Sequence, residues 1–451
     1  IPAARLAEKG WIDADLVDVP LSQSLDEHPG AVHHFLLPAS GWGVTAETKE
    51  ARELAPEAVA EVKQWRKSLR NKLTTAQRKQ LQALAQRVET LWALALRRLE
   101  IAESEIRRDI PVWGREFTPT GGAVTREQIE ASLSDENGAY RRLRRVMDAW
   151  CALWFWPLTD SRRTVDGTLV SPPSLQEWLD TLTELLGTPP RQAGGGQYDM
   201  FATATWDQLE DAEANDLILA QAKPVSEVLD RRPWLKVAEQ VAQRQGFFHW
   251  ELDFAPVFRR GGFDLQVGNP PWVRPRTDVN ALLAEGDPWF ELAVKPTQQQ
   301  VRQRREATLA YPGIRDLVVD DTADITAVSA FLGSPLLYPV LAGLQPDLYR
   351  CFMTQCWRHN SPRGMTALIH LESHFTDDRA GLLREQTYQR LRRHWQFINE
   401  LKLFEIQDQK TFGVNIYGSA KEPGFLHAVS LYHPETVIRS LRHDGTGPEP
   451  G

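Results

Sequence analysis

Four consecutive residues, Asn269-Pro270-Pro271-Trp272, combine hydrogen-bond acceptors, a rigid turn and a flat aromatic face. An amine on an aromatic ring is a poor nucleophile because its lone pair is delocalised. The Asn269 side-chain oxygen and the Pro270 carbonyl can accept its two protons and let the nitrogen pyramidalise toward an electrophilic methyl group. Pro270 and Pro271 stiffen the turn and add no competing N–H donor. Trp272 offers a stacking face for a base extruded from a duplex. The pattern predicts a site that methylates an amine.

The tetrapeptide directly follows Phe263-Asp264-Leu265-Gln266-Val267, a segment typical of a strand. It therefore lies at the carboxyl end of that strand, which is where open α/β sheets bind ligands. The alternative is a turn that only ends the strand, because Asn and Pro are both common in turns.

The elements after residue 246 alternate between strands and helices, which predicts a largely parallel, doubly wound sheet. We expect strands at 263–267, 365–371 and 397–404, and helices at 346–359 and 377–395. The apolar runs 412–417 and 425–432 are joined by only seven residues and predict an antiparallel hairpin at the end of the sheet.

The upstream sequence has a different character. Residues 1–50 mix short apolar runs with Pro and Gly and predict a strand and loop segment. Residues 51–245 are mainly helical, beginning with a helical hairpin in which Thr74-Thr75-Ala76-Gln77 has the pattern of a capping box. We expect the catalytic part at 246–440 and a tail at 441–451. Because the chain starts at Ile1, we expect it to be a piece of a longer polypeptide.

The segments 248–254 and 262–272 resemble the amino-methyltransferase motif of large N6-adenine DNA methyltransferases from single-chain restriction-modification and phage-defence systems. The likeness extends over about 246–432. It implies part of a Rossmann-like methyltransferase sheet preceded by a helical region, S-adenosylmethionine as the methyl donor, and double-stranded DNA with an extruded adenine as the partner. Asn269, Pro270, Pro271 and Trp272 would be the catalytic residues. Phe412 would be a second aromatic against the base, or else a core phenylalanine.

The glycine-rich loop that holds the methionine part of the cofactor in this family is not evident. The nearest segment, Leu37-Pro38-Ala39-Ser40-Gly41-Trp42-Gly43, lacks an acidic residue at its start and is more typical of a structural turn. The cofactor-binding residues therefore remain unknown. We expect the loop upstream of Ile1, and we expect the chain alone to be inactive or nearly so.

Composition narrows the remaining possibilities. The net charge of −8 gives no overall attraction to DNA, so any contact must come from local basic patches. For Arg141-Arg142-Leu143-Arg144-Arg145 we favour a helix face with acidic partners over phosphate contact. No apolar run approaches the roughly 20 residues of a membrane-spanning helix, and the N-terminus lacks the pattern of a signal sequence. We therefore expect a cytoplasmic protein that does not bind a membrane. We also expect no metal site.

Two other functions compete with a DNA methyltransferase. A protein-glutamine N5 methyltransferase shares Asn-Pro-Pro-aromatic because an amide nitrogen needs the same acceptors, although such enzymes are compact and would not need the long helices. The second alternative is a non-catalytic DNA-binding or scaffold fragment that keeps the sheet only for packing.

Overall fold

A computed structural model of the chain describes residues 5–8, 11–13, 19–28, 30–106, 124–164, 166–189, 201–444 and 446. Residue contacts divide the chain into two compact units. We call them the helical unit, Ile1–Pro256 with Thr277–Ala330, and the sheet unit, Val257–Arg276 with Phe331–Gly451. Of the predicted tail 441–451, residues 445 and 447–451 lie outside the described residues.

The helical unit contains fourteen described helices, of which the last also enters the sheet unit. They are α1 (Lys49–Leu54), α2 (Pro56–Leu69), α3 (Thr75–Ile106), α4 (Arg126–Ser134), α5 (Ala139–Ala152), α6 (Leu175–Leu186), α7 (Trp206–Leu219), α8 (Val225–Arg231), α9 (Pro233–Gln245), α10 (Trp250–Asp253), α12 (Val279–Ala284), α13 (Trp289–Leu292), α14 (Gln298–Leu309) and α15 (Ile314–Leu332). Helix α11 (Ala255–Arg259) connects the two units along the chain.

The two helices of the predicted hairpin are present as α2 and α3, but α2 packs mainly on α1 and on the 3-10 turn Val44–Glu47, so only the second helix of the prediction is confirmed in detail. Thr74 and Gln77 exchange the two hydrogen bonds of a capping box at the start of α3. The apolar positions spaced three and four residues apart along this helix, Leu81, Leu84, Val88, Leu91 and Ala95, are all buried. Their periodicity is what makes α3 a core helix.

The arginine run on α5 also follows its prediction. Arg141 pairs with Glu136 at 2.7 Å, Arg144 with Asp253 at 2.8 Å and Arg145 with Glu239 at 2.6 Å. These three guanidinium groups have acidic partners within the same unit, and the buried Arg142 donates to the Leu185 and Lys223 carbonyls, so the run is satisfied by the protein itself.

Residues 1–50 correct one expectation. Their described part contains short 3-10 turns at Arg5–Ala7, Trp11–Asp13, Leu25–Glu27, His34–Leu36 and Val44–Glu47, and it contains no strand. The short apolar runs are buried against helices, as Phe35, Leu36 and Leu37 show, so they fill a helical core without pairing in a sheet.

The sheet unit holds one five-stranded sheet with strand order β1-β2-β4-β3-β5. Its elements are β1 (Phe263–Gly268), α16 (Leu348–His359), β2 (Asn360–Leu371), α17 (Ser373–Thr376), α18 (Gly381–Arg390), β3 (Leu391–Ile398), β4 (Thr411–Tyr417), β5 (Leu426–Leu431) and α19 (Pro434–Arg442), with 3-10 turns at Pro339–Leu341 and Asn399–Leu401. β1 and β2 pair in parallel, as do β3 and β5. β4 pairs antiparallel with both β2 and β3. Four of the five strands therefore run in one direction, as in a mixed α/β sheet compatible with a methyltransferase fold.

The predicted terminal hairpin of 412–417 and 425–432 is wrong. Both edges of β4 are occupied, by β2 on one side and β3 on the other, so β4 leaves no edge for β5. β5 instead adds to the free edge of β3 in parallel. The antiparallel pair next along the chain is β3 with β4.

The predicted helix 377–395 and strand 397–404 are also corrected. α18 ends at Arg390, β3 starts at Leu391, and the chain turns at Asn399–Leu401. The segment from Leu391 reads as either element locally, and pairing with β4 decides for the strand.

One face of the sheet is covered by α16 and α18. The core between them is formed by Leu341, Cys351, Met353, Leu368, Ala380, Leu383, Leu391 and Tyr417. Among the described residues of both units, no helix has the length and apolarity needed to span a bilayer.

Candidate functional site

The motif predicted from sequence begins where β1 ends. Gly268, the last residue of β1, pairs with Leu368 of β2, and Asn269 follows outside the sheet. Pro270 is buried, Asn269 and Pro271 are exposed, and Trp272 is half-buried. The prolines therefore turn the chain away from the strand and leave the amide of Asn269 in solvent.

Trp272 is held by the neighbouring strand. Its Nε1 donates a hydrogen bond to the Ile369 carbonyl of β2 at 3.2 Å. Immediately after it, the Leu348 amide donates to the Val273 carbonyl at 3.0 Å. These two bonds attach the end of the motif to β2 and to the start of α16.

Three aromatic rings meet at this point. The Trp272 and Phe412 ring centroids are 5.9 Å apart with planes at 29°, and Phe404 lies 4.8 Å from each of them. Phe412 is only 3% exposed. Phe412 is thus buried against Trp272, as expected of a core phenylalanine, and Phe404, for which the sequence analysis made no prediction, packs against both rings. At this separation the two rings are in direct contact, so no third ring fits between them.

A cavity of about 1020 Å³ opens beside Trp272. It lies where β1 and β2 end and where the antiparallel β4 begins, so loops from three strands meet there. Its aromatic walls are Trp272, Phe375, Tyr388 and Phe425, and its polar walls include Arg274, Arg276, Asp347, Glu372, His394, Gln396, Lys410 and His427. Asn269, Pro270 and Pro271 are not among the described residues that line it.

A buried carboxylate lies in this cavity. Glu372, the first residue after β2, is 7% exposed. One of its oxygens forms a short hydrogen bond with His394 Nε2. The other oxygen accepts a hydrogen bond from Gln396 Nε2 at 2.5 Å. The sequence analysis made no prediction for these residues, although Glu372 directly follows β2 as Asn269 directly follows β1.

Gly413 makes room for this cluster. A Cβ at Gly413 would lie 2.8 Å from Glu372 Oε1, 3.1 Å from His394 Nε2 and 2.7 Å from Asn415 Nδ2. Such distances are shorter than side-chain contacts tolerate, so the glycine is required for the carboxylate to reach His394.

The imidazole of His394 is packed between two rings. The Phe375 ring stacks on the His394 ring with the centroids 5.1 Å apart and the planes at 27°. The His427 ring also stacks on His394, with the centroids 4.6 Å apart and the planes at 13°. Phe375 also stacks on Tyr388, and Tyr388 on Phe425. One wall of the cavity is therefore a series of flat rings with a carboxylate at its base.

Basic groups stand near the same cavity. Arg274 is paired with the buried Asp347 at 3.0 Å, and Arg276 and Lys410 are exposed. The sheet unit carries 17 Lys and Arg against 13 Asp and Glu, although the whole chain has a net charge of −8. The positive excess is therefore confined to the unit that holds the motif.

Three other histidines of the sheet unit, His359, His370 and His374, are buried. Burial lowers the pKa of His370 and of His359 to about 4 each, and it also lowers the pKa of His374 well below its ordinary value. His370 Nε2 lies 2.8 Å from the Tyr417 hydroxyl. In the part of the chain that the structure describes, no group of three His, Cys, Asp or Glu residues is arranged to hold a metal ion.

Residues 180–293 match the family model of the Eco57I restriction-modification methylase. The matched stretch includes β1 and the Asn-Pro-Pro-Trp motif. It indicates a restriction-modification methylase. No curated protein and no solved structure gives a significant match.

A methylase of this kind typically uses S-adenosylmethionine, so we tested the nearest glycine segment as a cofactor loop. Gly41 is packed against Trp154, whose ring a Cβ would meet at 1.8 Å, and Gly43 adopts φ +65° beside Val62 and Trp65. Trp42 between them is 1% exposed. The segment is a packed turn of the helical unit and does not fit the cofactor. The expectation of a structural turn is confirmed.

Proposed function

We propose that this chain is the base-binding part of a site-specific DNA adenine-N6 methyltransferase that uses S-adenosylmethionine, in restriction-modification or phage defence. The observation that carries the proposal is the Asn-Pro-Pro-Trp segment at the carboxyl end of β1, inside the region similar to the Eco57I methylase and with Trp272 on a ring-lined cavity. We expect the enzyme to act in the cytoplasm.

The residues of the motif divide the work. The Asn269 side-chain oxygen accepts one proton of the adenine amine and the Pro270 carbonyl accepts the other. These acceptors strengthen as the nitrogen gains positive charge, so they stabilise the transition state more than the bound substrate. The exposure of Asn269 leaves its amide accessible to a base that arrives from solvent.

Trp272 supplies the stacking face for the extruded adenine. One side of its ring is covered by Phe404 and Phe412, which supports stacking from the side that faces the cavity. Phe412 then acts by supporting Trp272 from behind. The hydrogen bond to Ile369 keeps the ring in this orientation before the base arrives.

Double-stranded DNA is the proposed partner. Extruding a base requires contacts that hold the flanking phosphates, and Arg or Lys side chains provide most of such contacts. The positive excess of the sheet unit, with Arg276 and Lys410 exposed at the cavity, supports an approach of DNA to this side.

The glycine loop for the methyl donor remains to be located, and we propose that it lies outside the described residues. The chain's own residues bind and orient the amine, and positioning of this kind supplies much of the rate in group transfer. We therefore expect the 451-residue chain alone to be inactive or nearly so, and calorimetry should find no tight binding of S-adenosylmethionine.

The test uses the polypeptide from the complete reading frame and tritiated S-adenosylmethionine. We expect label in duplex DNA, with N6-methyladenine as the product after nuclease digestion. Label in protein at glutamine would instead support the protein methyltransferase. Methylation of neither substrate by an intact, folded polypeptide would refute an enzymatic role and favour a scaffold.

A further inference from the structure

The amide of Gln396 has a defined orientation. Gln396 Nε2 donates to a Glu372 oxygen at 2.5 Å, so the group that Gln396 presents to the carboxyl is its NH₂. One Nε2 hydrogen is used in this contact. The second Nε2 hydrogen and the Oε1 acceptor remain, and the half-buried side chain lines the cavity.

The carboxylate that fixes Gln396 is itself fixed. Its other oxygen is bound by His394, whose ring is stacked on Phe375 and His427. Glu372 and His394 are 7% and 4% exposed, so neither can easily rotate into solvent. Glu372 and His394 therefore fix the direction in which the Gln396 amide points.

A planar amide with a free N–H is the group that best reads a purine edge carrying a ring-nitrogen acceptor. Gln and Asn recognise adenine in this way in DNA complexes. In the proposed function the two amine protons are accepted by Asn269 and Pro270 at the end of β1, outside the cavity lining, so the contact left for Gln396 is a donor bond to a ring nitrogen. Trp272 lies on the same cavity and supplies the stacking plane.

We propose that Gln396 reads a ring-nitrogen acceptor of the extruded adenine, N1 or N7, and that Glu372 is the positioning residue that holds its donor toward the base. The inference rests on the proposed function of the motif and adds the specificity of the same site. If the acceptor is N1, a base with a protonated N1, such as guanine, would meet the Gln396 donor with another donor at that position.

The experiment uses the same polypeptide from the complete reading frame and measures single-turnover methylation and equilibrium binding with DNA whose target adenine is replaced by 1-deazaadenine or 7-deazaadenine. Each analogue replaces one ring nitrogen with C–H. With one of the two analogues the wild-type protein loses a hydrogen bond to a buried donor. Its methylation rate and affinity for that analogue should therefore be about tenfold to a hundredfold lower than for adenine. The other analogue should behave nearly as adenine does.

The variant Gln396→Met keeps the length of the side chain and removes the donor. It should bind adenine and the affected analogue equally, because the contact no longer exists to be lost. Glu372→Gln should give an intermediate preference, since an amide there lets Gln396 present either of its ends. Gln409→Met, on an exposed residue outside the cavity lining, should keep the wild-type preference.

An equal loss with the analogue in wild-type and Gln396→Met, when circular dichroism shows both folded, would overturn the role of Gln396. So would an unchanged response of the wild-type protein to both analogues. Either result leaves methylation of ordinary adenine intact, whereas failure of the proposed function would appear as no methylation of adenine at all.

Discussion

Replacing Gly413 by alanine tests whether the buried cluster depends on an empty position in β4. The added methyl would lie within 2.7–3.1 Å of the Asn415, Glu372 and His394 side chains. All three are buried, so none can swing away into solvent. Overpacking of a tight interior costs about 1–3 kcal/mol, and loss of a hydrogen bond to a charged group adds about 1.5–3 kcal/mol. The gain from replacing a strand glycine returns only roughly 0.5–1 kcal/mol.

The expected loss in the free energy of unfolding is therefore about 2–5 kcal/mol. Urea unfolding of the chain measures it, and hydrogen exchange on peptides from β3 and β4 locates it. Gly381→Ala is the matched control: a Cβ there meets nothing within 4 Å, and the residue begins α18. It should be neutral or slightly stabilising. A Gly413→Ala protein as stable as the control, with unchanged exchange in β3 and β4, would refute the packing argument.

Four further predictions follow from the motif and its surroundings. Asn269→Ala in the complete enzyme should slow single-turnover methylation about 10²-fold or more while DNA affinity survives; an unchanged rate with normal 2-aminopurine fluorescence would leave Asn269 a turn residue. Trp272→Ala should lose a stacking contact of about 1–3 kcal/mol and lower both turnover and complex stability, and Trp272→Phe should recover most of this, less its bond to Ile369. Phe412→Leu should weaken base binding in the wild type but hardly at all in a Trp272→Ala background, because it acts through that ring; additive losses would mean that it touches the base itself. The free energy of unfolding should fall by about 2 kcal/mol between pH 7.5 and 5 from His370 alone, because burial holds its folded pKa at about 4 against an ordinary 6.5, so the unfolded state takes up the proton first; a His370→Asn protein that shows the same decline would contradict this.

The sequence predicted those parts of the sheet unit whose signals are local. Apolar and polar residues alternate along β1, the segment 365–371 of β2 is mostly apolar, and α16 follows a proline and an aspartate. The order of strands could not be read in the same way. The residues at 412–417 do not indicate that this strand will pair on both of its edges. Because β4 pairs with β2 on one edge and β3 on the other, β5 can pair only with the free edge of β3.

The candidate site shows the same limit. Asn269 to Trp272 can be proposed from the sequence because the four residues are neighbours and together have the pattern of a base-methylating motif. Glu372, His394 and Gln396 come from three places in the chain and have no common motif. Two signals were nevertheless available. Glu372 stands at the carboxyl end of a predicted strand, as Asn269 does, and Gly413 interrupts an apolar strand, which often marks a close approach of other groups.

The contact between Trp272 and Phe412 determines from which side a ligand can reach the Trp272 ring. Because the rings touch at 5.9 Å and Phe404 packs against both, a base gains access to Trp272 only from its remaining side. Trp272 lines the cavity, and Glu372 and Gln396 line it as well. The acceptors of the motif lie next to Trp272 along the chain, at the end of β1, while the donor of Gln396 comes from β3. In the proposed function, a base stacked on Trp272 would meet acceptors from the end of one strand and a donor from β3. An adenine held by groups from both places would be restrained from rotating in the plane of its ring, which neither stacking nor the motif alone can do.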